Sequence, residues 1–296
     1  MKVGQWKRVL LNVFSDVNQN HIFPFAAALS YYFLLALFPA LIAIATFVGY
    51  LPIPHPFNAV VAAMADVVPS QSMGLVRRVV ADVTLHSHPA LLSFGLLATL
   101  WTCSSAFATV IEGLNVAYNV PETRPMWKTR LLAFELTFLV GLLVAVAFAF
   151  LVVGPHFGKF LAGELGLSRA FAVLWPISQH VLAAILMVLA IEGLYFMAPN
   201  VKHSFSDSLP GAVFAVLSWI LLSDGLSLYF QKFEHLNKTY GVLGGGIALL
   251  VWLYWTGFVI LVGAELNSEL LKLGKNAGVP VKPPPKPRPR AASTAG

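Results

Sequence analysis

Four acidic residues, Glu112, Glu192, Asp224 and Glu265, stand inside or at the ends of long uncharged apolar runs. An ionisable side chain at lipid depth is costly and is kept where it faces a protein interior or a water-filled cavity. The four therefore form a candidate intramembrane polar pathway for a cation, a proton or a charged headgroup. A competing reading pairs the glutamates with Arg124, Lys128, Arg130 and Lys202, so that they only hold helix ends together. Pairing has the better claim on Glu112 and Glu135. For Glu192 and Asp224 the two readings stand level. Glu192 lies seven residues before Pro199, about 10 Å along a helix. Arg124, Lys128 and Arg130, clustered around Trp127, are candidate contacts for anionic headgroups.

Other chemistry is thinly represented. His180 is the only histidine well inside an apolar run, and a hydrogen-bonded core role suits it best. His86 and His88 form an HxH pair with no third ligand at metal-binding spacing. There is no GxxxxGK[ST] loop, no HExxH and no Ser/His/Asp or paired-aspartate pattern. The expectation is no catalytic residue, no cofactor, no metal and no enzymatic activity. Cys103 is the sole cysteine, which excludes an intramolecular disulfide.

The elements that position these residues are set by composition. Hydrophobic residues make up 58% of the 296, charged residues only 11%, and mean hydropathy is +0.77. A water-soluble domain carries roughly 25% charged residues, so lipid is the solvent here. The net charge of +6 does not point to nucleic acid, because the basic residues lie between and beyond the apolar runs. Runs of about 20 apolar residues cross a bilayer as helices, and six are present, at about 26–51, 90–110, 131–153, 170–198, 209–230 and 242–268. The fold class is all-α, a polytopic membrane bundle occupying residues 21–271. The first run exceeds a signal-peptide core in length and is expected to remain as an anchor.

Residues 1–20 carry Trp6, Val9, Leu10, Val13, Phe14 and Val17 at helical spacing, an amphipathic helix suited to the membrane interface. The loop after the first span predicts two short helices, near 60–68 and 75–83, with Ser70 as a candidate N-cap. Glycines 241 and 244–246 suit close packing or a hinge. Residues 272–296 read as a basic, proline-rich, disordered tail. With the N-terminus inside, the cytoplasmic segments hold 13 of the 19 Lys and Arg residues. Both termini are then cytoplasmic.

Three stretches together resemble the YihY/BrkB family of bacterial inner-membrane proteins, some historically labelled ribonuclease BN-like. They are AAALSYYFLLALFPA, WTCSSAFATVIEGLNVAYNVPETRPMWKTRLLAF, and the long segment from YFMAPNVKHSFSDSLPG to LVGAELNSEL. Matching motif positions include Tyr31, Pro39, Trp101, Tyr118, Pro199, Asn200, Pro210, Gly211, Trp219, Tyr240, Gly241, Trp252, Gly263, Glu265 and Asn267. The resemblance implies a six-helix inner-membrane protein linked to envelope integrity and to lipid or lipid-precursor export.

The expected function is movement of a lipid or another amphiphile, with membrane lipids as partners and no nucleic acid. Homo-oligomers and envelope proteins are further candidate partners. The alternative is a non-transporting scaffold or accessory subunit, in which the glutamates are structural.

Overall fold

A computed structural model describes residues 3–49, 56–65, 68–85, 89–164, 169–232 and 234–275. All its regular elements among these residues are helical: α1 (Val3–Gln19), α2 (Ile22–Gly49), α3 (Pro56–Ala65), a 3-10 turn (Ser70–Ser72), α4 (Met73–Leu85), α5 (Pro89–Ala117), α6 (Met126–Glu164), α7 (Arg169–Met197), α8 (Phe205–Lys232) and α9 (Glu234–Lys275). Helices satisfy every backbone polar group internally, as a hydrocarbon solvent demands.

Five described segments are long and apolar enough to cross a membrane: Leu97–Ala117, Met126–Leu151, Leu174–Met197, Phe205–Phe230 and Gly244–Leu273. A sixth candidate is the bent pair Gln5–Gln19 and Ile22–Leu37, whose halves meet at 67°. His21 makes that bend with a left-handed φ of 52°. The chain is thus an all-α, multi-pass membrane bundle.

The third apolar run is longer than its sequence suggested. α6 continues without a break from Met126 past Pro155 to Glu164, so the helix extends beyond the expected 131–153 at both ends and takes in Arg130. The glycine run near residue 244 is likewise continuous helix. There the carbonyl of Gly245 accepts a bond from buried Ser72 at 3.0 Å, which makes this part of α9 a packing surface.

α9 is the axis of the bundle. Half of its membrane window is buried, against 11–33% for the other four. At its C-terminal half it packs in the main core with Leu29, Leu114, Leu136 and Tyr195. At its other end Leu249, Trp252 and Leu253 form a second core with Met64, Val68, Met73 and Val76 from the α3–α4 hairpin. The hairpin therefore covers that end of the bundle. Ser70 lies inside the 3-10 turn, preceded by Pro69, and α4 starts only at Met73. The basic tail beyond Lys275, His86 and His88 fall outside the described residues.

α1 divides its apolar residues between two surroundings. Val9, Val13 and Val17 are buried in the main core, while Trp6, Leu10 and Phe14 face outward. The single apolar stripe expected from sequence is thus two stripes. One grips the bundle, and the other is free for the interface.

Candidate functional site

The buried ionisable side chains Glu192, Glu265 and Glu269 share one end of the bundle. This end is built from the C-terminal parts of α5, α7 and α9, the start of α8, and α1. Close helix approach makes it possible. A Cβ on Gly211 would overlap the Gly263 carbonyl oxygen and the Asn267 amide, and one on Gly263 would meet the Tyr195 hydroxyl. Small residues let α8 and α9 touch at backbone distance, the usual device where hydrophobicity cannot drive association.

Asn267 fastens that crossing. Its Oδ1 accepts from the Gly211 N–H at 2.7 Å, and its Nδ2 donates to the Ser208 carbonyl at 2.7 Å. The Ser208 hydroxyl donates to Glu192 Oε1 at 2.6 Å. Glu192 is wholly buried, and among the described residues its Oε2 has no hydrogen-bond partner. One turn further along α7, the Tyr195 hydroxyl donates to the Ile260 carbonyl at 2.5 Å.

A second network joins α1 to the other side of α9. Asn20 donates to Glu265 Oε1 at 2.7 Å, and Asn12 to Glu269 Oε2 at 2.7 Å. Lys272 bridges Glu269 at 2.5 Å and Asp16 at 3.3 Å. Asn12 and Asp16 on α1, and Asn20 just past its end, thus meet Glu265, Glu269 and Lys272 on α9, polar stripe against polar stripe. Glu265 Oε2 is also without a partner. Glu265 and Asn267 sit two positions apart on α9, about 200° around the helix. The Glu192 and Glu265 networks consequently occupy different sides of it.

The expected pathway set does not converge. Glu112 is exposed on α5, and Asp224 is exposed on α8. Asp224 is sixteen residues from Ser208, about 24 Å along the helix. Spans this uniformly apolar carry little facial signal in their sequence, so the direction in which a lone acid points was not legible. Nothing in the sequence pairs the buried acids with Asn12, Asn20 or Ser208, although the i, i+4, i+7 spacing of 265, 269 and 272 groups Glu265, Glu269 and Lys272 on one face of a helix. His180, expected in the core, is exposed and pairs its Nδ1 with the Pro176 carbonyl at 2.7 Å.

The three basic candidates separate as well. Arg124 binds Glu122 at 2.6 Å and donates to the Ala198 carbonyl at 2.8 Å, so it ties loop to loop and does not pair with a membrane glutamate. Asn200 reinforces that tie, bonding Asn115 Oδ1, the Pro121 carbonyl and Thr123. Lys128 stands 5.3 Å from the ring of Trp127. Arg130, on α6, reaches α5, its guanidinium 4.5 Å from the ring of Trp101.

The Arg124 guanidinium beside Glu122 holds that carboxyl down from the usual 4.5 to about 2. A carboxyl whose folded value is depressed adds stability above its unfolded value, and that stability is lost as pH falls toward the folded value. Local protection of the loop at 118–125 is therefore expected to fall between pH ~4.5 and ~2, and Glu122→Gln should flatten the dependence. Amide exchange across that range checks this. The effect should be small, because Glu122 is exposed and the pair is screened by salt.

Between α7, α8 and α9 lies a cleft of about 100 Å³, lined by Met187, Ile191, Ala215, Trp219, Trp252 and Ile260 among others. Both indoles have their N–H satisfied, Trp219 by Thr256 at 3.1 Å and Trp252 by Ser223 at 3.0 Å. The cleft is therefore an apolar wall. Ile191 adjoins Glu192 in sequence, and Ala215 is one turn from Gly211, so the cleft and the Glu192 network are neighbours. Among the described residues no three His, Cys, Asp or Glu side chains are grouped to hold a metal.

A profile of the family described as Virulence factor BrkB matches residues 13–287, and the chain belongs to that family. It is 34% identical over 250 residues to YfkH of Bacillus subtilis, named as ribonuclease-like, covering 84% of this chain and 90% of that one. It is 28% identical over 253 residues to the UPF0761 membrane protein RC1_0578 of Rhodospirillum centenum, covering 85% of this chain and 54% of the relative. With Smlt0865 of Stenotrophomonas maltophilia, another UPF0761 membrane protein, it shares 26% over 263 residues, 85% of this chain and 58% of the relative. No solved structure matches.

Proposed function

We propose that this chain moves a lipid-class amphiphile across or within the bacterial inner membrane and so supports the envelope, without catalysing a reaction. One observation carries the reading. Glu192 is a wholly buried acid at membrane depth, with one carboxyl oxygen unpartnered and an apolar cleft beside it. An amphiphile needs such a pair of surroundings, a polar group for its head and an oily wall for its chain. The cleft takes a short length of chain, and Ile260, which lines it, accepts the Tyr195 hydroxyl at its carbonyl.

The orientation proposed from the basic residues puts this polar end on the cytoplasmic side. The contacts of Asn12 and Asp16 on α1 with Glu269 and Lys272 on α9 support placing these two helix segments on the same side. A ribonuclease reading, suggested by the name of YfkH, fits the geometry poorly. Phosphodiester cleavage needs acid–base or metal-binding groups that RNA can reach, whereas Glu192 and Glu265 are sealed inside the bundle.

The scaffold reading keeps one specific support, the Asn267 lock, which by itself asks only for a rigid bundle. Lipid analysis of separated envelope fractions distinguishes the two. A strain lacking this gene should redistribute lipid between fractions. Wild-type chain should restore the distribution, and Glu192→Gln at equal abundance should not. Restoration by Glu192→Gln would leave the scaffold reading.

A further inference from the structure

Arg130 carries a charge that no described ion pair absorbs. It lies four residues inside the Met126–Leu151 membrane window, about 6 Å along the helix. Trp127, three positions earlier and 65% exposed, suits the interface. The guanidinium is half-buried, stacked 4.5 Å from the Trp101 ring and 5.5 Å from Phe134. Its Nη2 donates to Ser105 Oγ at 3.2 Å, and among the described residues no carboxylate lies within ion-pair distance. Glu112 is on the same face of α5 but seven residues, about 10 Å, beyond Ser105.

A cation held at that depth without a counter-charge is unfavourable unless lipid supplies one. The guanidinium fork matches the phosphate of a phospholipid, and arginine binds such oxygens in pairs. The exposed α5–α6 face continues away from the proposed cytoplasmic end. On α5, Trp101 and Leu97 are exposed at 64% and 68%. On α6, Gly141 has open space where a side chain would stand. Gly141 is eleven residues from Arg130, about 16 Å, close to the ~15 Å depth of one leaflet's hydrocarbon. Charge and lane length thus agree.

We propose that the exposed α5–α6 face binds one anionic phospholipid, its phosphate on Arg130 and an acyl chain along Trp101, Leu97 and Gly141. This site lies on different helices from the α7–α9 cleft, and it holds whether or not the protein moves lipid.

Native mass spectrometry of the purified full chain tests it, with phosphatidylglycerol, phosphatidylcholine and inorganic phosphate as probes. Wild type should retain the first phosphatidylglycerol about tenfold better than phosphatidylcholine. Arg130→Gln should lose most of that preference, and Arg130→Lys should keep part of it. Equal preference in wild type and Arg130→Gln overturns the proposal. So does displacement of the lipid by millimolar phosphate, which would mark a site for free anion. If Arg130→Gln does not purify as a helical, monodisperse protein, Ser105→Ala and Trp101→Leu decide. Both keep the charge, and unchanged preference in both overturns the proposal.

Discussion

Gly211→Ala is expected to cost about 3 kcal/mol or more, at the upper end of what overpacking imposes. The added methyl has nowhere to go. It would overlap the backbone oxygen of Gly263, which cannot swing aside as a long side chain can, and the amide of Asn267. To admit it, α8 and α9 must separate, and that also breaks the 2.7 Å bond from the Gly211 N–H to Asn267. Gly225, on the same helix, has no heavy atom within 4 Å of the equivalent position, so Gly225→Ala is the matched control and should cost little. Thermal or denaturant unfolding in a fixed detergent measures both.

Asn267→Leu is the second large effect, at roughly 2–4 kcal/mol. It removes the side chain bonded to both Gly211 N–H and Ser208 carbonyl across the α8–α9 contact, where each buried group left unsatisfied costs about 1–3 kcal/mol. Water cannot substitute, because Asn267, Ser208 and Gly211 are all buried. The two substitutions share one contact, so their costs should not add. A double variant only slightly less stable than Gly211→Ala alone is the expected result, and full additivity would mean the residues act independently. Unfolding of the two single variants and the double variant, under the same conditions, completes the cycle.

These residues show how far a sequence of this kind can be read. Length and apolarity place the spans, because a bilayer imposes a thickness on every helix that crosses it. They do not orient the spans. Glu112 and Glu192 stand alike in sequence, each in an apolar context near one end of a helix, yet Glu112 is exposed and Glu192 is wholly buried. The difference arises from which neighbour each helix packs against. Arg124 illustrates the same point. Several glutamates were available to it by topology, and it takes Glu122, two residues away, because the α5–α6 loop folds back on itself. Gly211 and Asn267 were visible as motif positions, but their roles become clear only when α8 and α9 are laid together. The α1 stripe was half legible. Periodicity found a helix with one apolar face, and the outward-facing Trp6, Leu10 and Phe14 belong to a second.

The sharpest test of lipid movement is a reconstitution. The full chain is placed in unilamellar vesicles containing a headgroup-labelled fluorescent phospholipid, and an impermeant reductant is added outside. Wild type should make inner-leaflet label accessible, and Glu192→Gln should slow that at least about tenfold, a loss of ~1.4 kcal/mol in barrier lowering, with unchanged helix content and melting. Wild-type vesicles no faster than protein-free ones, or Glu192→Gln vesicles as fast as wild type, would contradict the account.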